Sequence, residues 1–441
     1  MSTVTIGYGQ LVRQNYNFRN LWIGQIISLL GDWFNLIASA ALVATLTGSG
    51  LAVGALFVVR MLAPFVVSPV AGVVADRYNR RRILIISDIA RSVTVFGFLL
   101  VREPQHVWLL YALTILQLGI SGFFFPTYTA FLPDIVSSRE LGTANALSSI
   151  TWSVMLALGA AIGGLVSGTL GIYAAFVIDG ITFLLSAFFI AQIRVNVSLA
   201  IDTEQTVSAV IKEYVEGLGY LRRHVDIFVV ALHKAFVTLL TWSGVQVAQV
   251  TIAERIFTIG EGGSISLGLM FAINGLGTGV GPVVARYFIG DRSQAMRIAI
   301  AFSYLISVIG LGVMATLSSF EIVLLGTLLI GIGGGMIWVF STQLLLQALP
   351  GHIRGRVLST EFALFTLTSA IAAAVTGTAL DASLSIAQVL GWTAALTLIP
   401  MVLWTLWLIF GKLSQVTTAP PVENQESRHL RPDIPEVGSR E

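Results

Sequence analysis

Long stretches without charge constrain this chain more than any other feature. No Asp, Glu, Lys or Arg occurs in the 27 residues 33–59, the 38 residues 141–178 or the 32 residues 322–353. A helix needs about 20 apolar residues to cross a bilayer, so these runs are long enough. They are far longer than the alternating strands of about 10 residues that build membrane barrels. Because backbone groups in lipid must be hydrogen-bonded internally, the runs predict transmembrane helices.

The composition excludes several other classes of protein. Of the 441 residues, 55% are hydrophobic and only 11% are charged, whereas soluble domains carry about 25% charged residues. The net charge of +2, with scattered basic residues, argues against nucleic-acid binding. There is no cysteine, and we find no phosphate-binding loop, metal-ligand motif or catalytic triad. We therefore expect no enzyme activity, no cofactor and no metal.

Turn signals and charges divide the chain into twelve predicted spans. They lie near residues 20–44, 51–75, 83–101, 107–130, 142–169, 173–193, 227–253, 264–287, 295–318, 321–348, 357–380 and 387–411. The fold class that follows is an all-α polytopic membrane protein with twelve transmembrane helices.

Basic residues predict the orientation, because Lys and Arg concentrate in cytoplasmic loops. One set of alternate loops and termini holds Arg13, Arg19, Arg77, Arg80, Arg81, Arg82, Arg139, Lys212, Arg222, Arg223, Arg286, Arg292, Arg354 and Arg356. The opposite loops hold only Arg102 and Arg255. We expect a multi-pass protein of the plasma (inner) membrane with both termini in the cytoplasm.

Two landmarks indicate an internal duplication. Pro133 after span 4 and Pro350 after span 10 lie 217 positions apart, and Gly72 and Gly281 lie 209 positions apart. The pattern predicts two pseudo-symmetric six-helix bundles, residues 1–193 and 227–411.

The remaining segments are a linker and a tail. In the linker 194–226, apolar residues recur every three to four positions, which predicts an amphipathic helix on the cytoplasmic surface. Residues 412–441 carry four prolines and mixed charge, and we expect a disordered cytoplasmic tail.

A resemblance emerges from the loop between spans 2 and 3. Gly72-Val-Val-Ala-Asp76-Arg77-Tyr-Asn79-Arg80-Arg81-Arg82 resembles the signature Gly-x-x-x-Asp-Arg-x-Gly-Arg-Arg of the major facilitator superfamily, with Asn79 in place of the usual Gly. Other stretches are similar to the third drug–proton antiporter branch, which includes enterobactin-exporter-like and macrolide-efflux-like proteins. They are Phe18-Arg19-Asn20-Leu21-Trp22, Gly31-Asp32, Leu132-Pro133-Asp134, Ala144-Asn145-Ala146-Leu147, Gly159-Ala-Ala-Ile-Gly163-Gly164 and Arg354-Gly355-Arg356-Val357.

The resemblance implies the major facilitator fold, export from the cytoplasm and a protein that works as a monomer. One departure concerns span 4, where drug–proton antiporters usually carry a buried Arg. The matching segment 116–119 reads Leu-Gln-Leu-Gly, so this coupling element is missing from its usual place.

Charged residues inside the spans are candidates for proton coupling, because charges in lipid face a protein interior or a water-filled path. At 1.5 Å per residue, Asp32 in span 1 and Arg60 in span 2 lie at similar depths, roughly 21 and 24 Å along their helices. We expect an Asp32–Arg60 pair, in which either Asp32 takes up a proton or both residues hold the two spans together permanently. Asp179 in span 6 is either a second proton site or a residue that faces water near the mouth.

The loop signature predicts a cytoplasmic gate. By resemblance, Asp76 accepts from the positive N-terminus of a facing helix, holds the outward-open state and is released when the inner side opens. The gate candidates lie at the signature and near the cytoplasmic ends of spans 2, 3 and 11: Gly72, Asp76, Arg77, Arg80, Asp88, Arg91 and Glu361. The arginines at 80–82 alternatively serve only to fix the topology.

Polar and aromatic residues within the spans are candidates to line a substrate cavity, although such residues also join helices to each other. They are Gln25, Asn35, Gln117, Trp152, Lys234, Gln246, Asn274, Trp338 and Gln343. Lys234 alternatively extends its ammonium group to the membrane interface.

These features favour a secondary transporter that exports a small amphipathic compound, such as a drug or siderophore, by alternating access. Protons are the expected coupling ion and the lipid bilayer is the expected environment. One alternative is a facilitator of lysophospholipid or other lipid movement. Another, from a different class, is a non-transporting membrane sensor or scaffold, although such a protein has little reason to keep charges within its spans.

Overall fold

The computed structural model of the chain describes residues 6–137, 139–195, 207–290, 292–382 and 384–410. Within these ranges the secondary structure is helical. The α-helices are α1 Tyr8–Gln14, α2 Tyr16–Thr47, α3 Gly50–Arg77, α4 Arg80–Gly97, α5 Val107–Ile135, α6 Leu141–Thr169, α7 Ile172–Ala191, α8 Val207–Arg223, α9 Val225–Val237, α10 Ser243–Arg255, α11 Ser264–Ile289, α12 Ser293–Ala315, α13 Phe320–Ala348, α14 Gly351–Asp381 and α15 Ile386–Phe410.

Twelve helical segments in the described chain are long and apolar enough to cross a membrane, which confirms the predicted fold class. The first six are α2 to α7, which we call the N-terminal half. The seventh consists of α9, a π-helical turn at Thr238–Trp242 and α10. With α11 to α15 it forms the C-terminal half. The predicted linker contains α8, and the predicted tail 412–441 lies outside the described residues.

Several helices begin earlier than the apolar runs indicate. Helix α4 begins at Arg80 rather than near 83, and α14 begins at Gly351 rather than near 357. The prediction followed hydrophobicity, but a helical backbone continues through polar residues where Asn79 caps the first turn of α4 by accepting from the Arg82 amide at 3.0 Å.

The two halves meet along two helix pairs, α3 with α14 and α6 with α11. A Cβ atom placed on Gly164 would lie 2.6 Å from the Ser264 carbonyl oxygen and 2.7 Å from the Cα of Gly268. A Cβ atom on Gly54 would lie 2.5 Å from the Ala373 carbonyl oxygen. Only glycine allows backbones to approach so closely. We call these contacts the glycine seams.

The seams close one end of the molecule, and the other end is open. We call the end with Gly50 and Asp381 the closed face, and the opposite end, which carries α1 and α8, the α8 face. Toward the α8 face, α6 and α11 separate around an apolar groove of about 570 Å³ that is lined by Val154 and Val283, among others. A Cβ atom on Gly279 would meet nothing within 4 Å. The interface between the halves therefore opens toward the α8 face.

A charged cap joins the halves at the closed face. Asp381, at the end of α14, accepts hydrogen bonds from the Ser49 hydroxyl at 2.6 Å and from the backbone amides of Gly50 and Leu51 at 2.7 and 3.1 Å. These are the first amides of α3, which carry the positive end of its dipole. The C-terminal half therefore caps helix α3 of the N-terminal half.

We expect Asp381→Ala to loosen the closed face. Loss of such a cap costs about 1–2 kcal/mol, which corresponds to about a 5- to 30-fold population shift. The chain has no native cysteine, so a single Val53→Cys probe, buried at 1% exposure, reports opening through its rate of labelling by an impermeant maleimide. The rate should rise severalfold. Glu103→Ala removes an exposed acid of another loop and should leave labelling unchanged; equal rates in both variants would contradict the cap.

Candidate functional site

Five charged side chains converge inside the N-terminal half. They come from four helices: Asp32 from α2, Arg60 from α3, Asp88 and Arg91 from α4, and Asp179 from α7. We call them the N-terminal charge cluster. Asp88 and Asp179 are fully buried and Arg91 is 2% exposed. Charges this deep in a membrane protein mark functional positions more often than structural ones.

Arg91 is the centre of the cluster. Its Nη2 donates a hydrogen bond to Asp88 Oδ1, and its Nη1 lies 3.9 Å from Asp32 Oδ2. The guanidinium lies between two aromatic rings, 4.4 Å from the centroid of Phe124 and 4.2 Å from that of Phe183. Cation–π contacts of this kind stabilise a desolvated arginine. The two rings position the guanidinium beside Asp88 and Asp32.

The predicted direct pair between Asp32 and Arg60 is wrong. The ion-pair partner of Asp32 is Arg91, whereas Arg60 lies within electrostatic range of Asp32 and Asp179 without a close contact to either. Arg60 Nη1 is buried without a hydrogen-bond partner in the described chain. The rise along each helix gives the depth of a residue but not the direction in which its side chain points. Arg91 was also assigned too shallow a position.

Asp32 differs from the other acids in its exposure. Its side chain is 31% accessible, whereas Asp88 and Asp179 have no accessible surface. The expectation that Asp179 faces water near the mouth is therefore wrong. Gly31 lets α2 approach α7 closely, since a Cβ atom there would collide with the Asp179 carboxylate. Asp32 is therefore the acid of the cluster that keeps accessible surface.

Asp88, Arg91 and Glu361, three of the gate candidates, are buried inside the halves. Arg91 pairs with Asp88 and Asp32, and Glu361 pairs with Lys234. A gate role for these three residues stays a prediction.

The remaining gate candidates lie at the α8 face. Arg80 donates to Asp134 Oδ2 at 2.9 Å and to the carbonyl oxygens of Ala75 and Ala130, each at 3.2 Å. These bonds tie the start of α4 to the ends of α3 and α5 within the N-terminal half. Arg77 is exposed, and the surroundings of Gly72 and the side chain of Asp76 lie outside the described part of the structure. The gate role of this signature stays a prediction.

A second buried ion pair lies in the C-terminal half. Lys234 Nζ on α9 donates to Glu361 Oε2 on α14 at 2.8 Å, and both residues are buried. Nζ lies 4.7 Å from the centroid of Trp338. Lys234 therefore does not extend to the membrane interface. We call Lys234 and Glu361 the C-terminal ion pair.

The other cavity candidates differ in their surroundings. Gln25 and Trp152 line a pocket of about 380 Å³ in the N-terminal half. Gln246 and Asn274 line a narrow cleft between the halves, and Gln343 is half-buried on α13.

Two candidates do not reach a pocket wall in this structure. Asn35 is fully buried and accepts from the Ser39 hydroxyl at 3.2 Å. Gln117 is 1% exposed. Both side chains are packed inside the N-terminal half, and the hydrogen bond from Ser39 to Asn35 lies within α2.

Sequence reasoning missed several residues of these sites. Tyr128 donates to Gln25 Oε1 at 2.6 Å, and Trp33 and Trp242 face each other across the cleft. Aromatic residues in apolar spans give no signal that separates a cavity wall from a packing surface. For Arg91, which was predicted only as a gate candidate, the three-residue spacing from Asp88 indicates that the two side chains meet on one face of the helix.

The sequence is similar to those of known membrane transporters. The sequence model of the Major Facilitator Superfamily matches residues 21–373. YfiS, an uncharacterized MFS-type transporter of Bacillus subtilis (strain 168), is 31% identical over 215 residues, 48% of this chain and 51% of that protein. BacE of the same strain, named as a candidate bacilysin exporter, is 27% identical over 261 residues, 59% of this chain and 64% of that protein.

Macrolide efflux protein A of Streptococcus pyogenes is 23% identical over 217 residues, 49% of this chain and 53% of that protein. The chain thus spans about half to two thirds of the length of these three curated relatives.

Solved structures share the fold at low identity. The crystal structure of the nucleoside transporter NupG has a TM-score of 0.73 at 12% identity and covers 90% of this chain and 99% of its own. A bacterial homologue of the human lysosomal transporter Spinster, in an inward-facing and unoccupied conformation, has a TM-score of 0.69 at 14% identity and covers 90% and 98%. At these identities the likeness concerns the fold alone. With the family match over most of its length, the chain belongs to the Major Facilitator Superfamily.

Proposed function

We propose that the protein exports a small amphipathic compound across the inner membrane, driven by proton entry through the N-terminal charge cluster. The observation that carries this proposal is that the cluster has more carboxyl groups than guanidinium groups. The cluster contains three carboxyl groups and two guanidinium groups in a largely water-free interior. An unpaired buried charge is costly, and interacting carboxyl groups share protons as a set. One carboxyl group of the set therefore holds a proton whenever the cluster is closed to water.

Asp32 is the residue through which that proton exchanges. It is the accessible acid of the set, and its partner Arg91 is fixed between two rings. When the halves tilt, Asp32 faces water of one compartment and then of the other. Proton release on the cytoplasmic side leaves Asp32 ionised and paired with Arg91, and proton uptake from outside weakens that pair. The two charge states thus favour different conformations, as coupling requires.

The orientation follows from the basic residues, which concentrate at the α8 face and make it the cytoplasmic side. The structure then represents an inward-open state with the glycine seams and the Asp381 cap closed on the outer side. Both termini are cytoplasmic in this arrangement. The protein works as a monomer, since the path between its halves is complete within one chain.

Export is favoured over uptake by the printed names of the relatives, two of which refer to an exporter and to macrolide efflux. A lipid facilitator is the second candidate, and one observation favours it. The groove between α6 and α11 is apolar and open, so an acyl chain has room to enter it. A sensor or scaffold without transport does not need a charge cluster connected to the cleft.

Everted membrane vesicles test the proposal. In vesicles acidified inside, we expect the protein to accumulate at least one compound of a panel made of a macrolide, a hydrophobic cation, an amphipathic amino acid and a lysophospholipid. A protonophore should reduce that accumulation at least tenfold. Vesicles without the protein are the control. Accumulation that is unchanged by the protonophore would contradict proton coupling. Movement of the lysophospholipid alone would favour the lipid facilitator.

A further inference from the structure

The C-terminal ion pair has unused hydrogen-bonding capacity. A lysine ammonium group has three N–H donors, and the hydrogen bond of Lys234 Nζ in the described chain goes to Glu361 Oε2. The second carboxylate oxygen, Glu361 Oε1, is buried without a hydrogen-bond partner in the same part of the chain. Glu361 is 2% exposed, and leaving a charged oxygen unsatisfied at such a position is unfavourable. The pair therefore presents a free acceptor beside free donors.

Aromatic rings connect this pair to the cleft between the halves. Trp338, which contacts the Lys234 ammonium group, lies 5.2 Å from the ring of Phe365 and 6.2 Å from that of Trp242. Trp242 lines the cleft opposite Trp33 of the N-terminal half. It also ends the π-helical turn Thr238–Trp242, and such turns occur frequently at functional sites because they redirect side chains.

We propose that the C-terminal ion pair and these rings bind the polar end of a zwitterionic substrate. The ammonium group of the substrate donates to Glu361 Oε1, its carboxylate accepts from Lys234 Nζ, and its apolar body lies along Trp338, Phe365 and Trp242. The inference rests on the proposed transport function and adds the substrate class: an amphipathic molecule with adjacent amino and carboxyl groups.

Charge balance explains why a zwitterion fits better than an ion. The pair is neutral as a unit, so a bound anion or cation would leave one net charge in a buried site. A zwitterion adds no net charge and satisfies the unpartnered oxygen. An uncharged analogue would leave that oxygen unsatisfied, and an unsatisfied buried acceptor weakens the binding of a ligand.

Matched probes test the proposal by binding to the purified full-length protein in lipid nanodiscs. The zwitterion is L-phenylalanine; 3-phenylpropionate lacks its ammonium group and 2-phenylethylamine lacks its carboxylate. Equilibrium dialysis should give at least tenfold tighter binding of L-phenylalanine than of either analogue. Glu361→Gln and Lys234→Gln should each lose that preference. Lys212→Gln, which removes an exposed lysine charge on α8 (78% exposed side chain), should bind as the wild type does.

Two further results separate this proposal from the transport proposal. If a single variant fails to fold, the double variant Lys234→Gln/Glu361→Gln keeps the site neutral and should fold without the zwitterion preference. Equal binding of all three probes, or no binding of L-phenylalanine by a protein that transports other panel compounds, overturns the site while transport stands. Zwitterion-selective binding without any proton-dependent transport in vesicles supports the site and overturns the coupling.

Discussion

Replacing Asp32 by Asn is expected to reduce proton flux at least tenfold while the protein remains folded. Asn has the size of Asp but carries neither charge nor exchangeable acid proton. The change leaves two carboxyl and two guanidinium groups in the N-terminal charge cluster, which then is neutral without a bound proton. Proteoliposomes with a pH-sensitive dye inside measure the flux, and downhill movement of the transported compound should persist because the cavity is unchanged.

Glu103→Gln provides the matched control for Asp32→Asn, since it removes an exposed acid outside the cluster and should leave proton flux at the wild-type level. Wild-type flux in the Asp32→Asn variant would exclude Asp32 as the residue that exchanges the proton. Flux lost equally in both variants would show that the effect is not specific to the cluster.

The second large effect is expected from Gly268→Ala in the seam between α6 and α11. The added Cβ atom would lie 2.6 Å from the Ala160 carbonyl oxygen and 2.6 Å from the Cα of Gly164, so the backbones must separate. Overpacking of this kind costs about 1–3 kcal/mol, which shifts the population of the closed seam by about 5- to 150-fold. Transport should fall accordingly, and labelling of the Val53→Cys probe should accelerate.

Gly312→Ala is the control for this change. Gly312 is also a helix glycine, on α12, but a Cβ atom there would meet nothing within 4 Å, so labelling and transport should both stay near the wild-type values. If Gly268→Ala labels as slowly as Gly312→Ala, the seam has room to adapt and does not control closure.

Much of the fold follows from the sequence because membrane spans obey a simple rule. Uncharged runs of helix length predict spans, and all twelve predicted spans correspond to helical segments in the described chain. The boundaries were less accurate where a helix continues past its apolar part. Helix α14, for example, begins at Gly351, whereas the predicted span begins near residue 357.

The sequence predicts that charged residues within the spans form the candidate sites, but not which of these residues contact each other. The sequence indicates that Asp32, Arg60 and Lys234 matter, because intramembrane charges are costly. It does not indicate that Arg91 contacts Asp32 or that Glu361 contacts Lys234. These contacts join helices that are distant in the chain. They depend on how each helix is rotated about its axis, which uniform hydrophobicity around a membrane helix leaves undetermined.

The glycine seams have a consequence for the kinetics of the conformational change. At Gly164 and Gly268 the contact is between backbones, so there is no side chain whose rotation could release it gradually. The backbones of α6 and α11 either touch along the seam or stand apart, and tightly packed interfaces of this kind are bistable. For the proposed transport cycle we therefore expect the two halves to switch between discrete arrangements with little leak through half-open intermediates, because backbone atoms make the contact at Gly164 and Gly268.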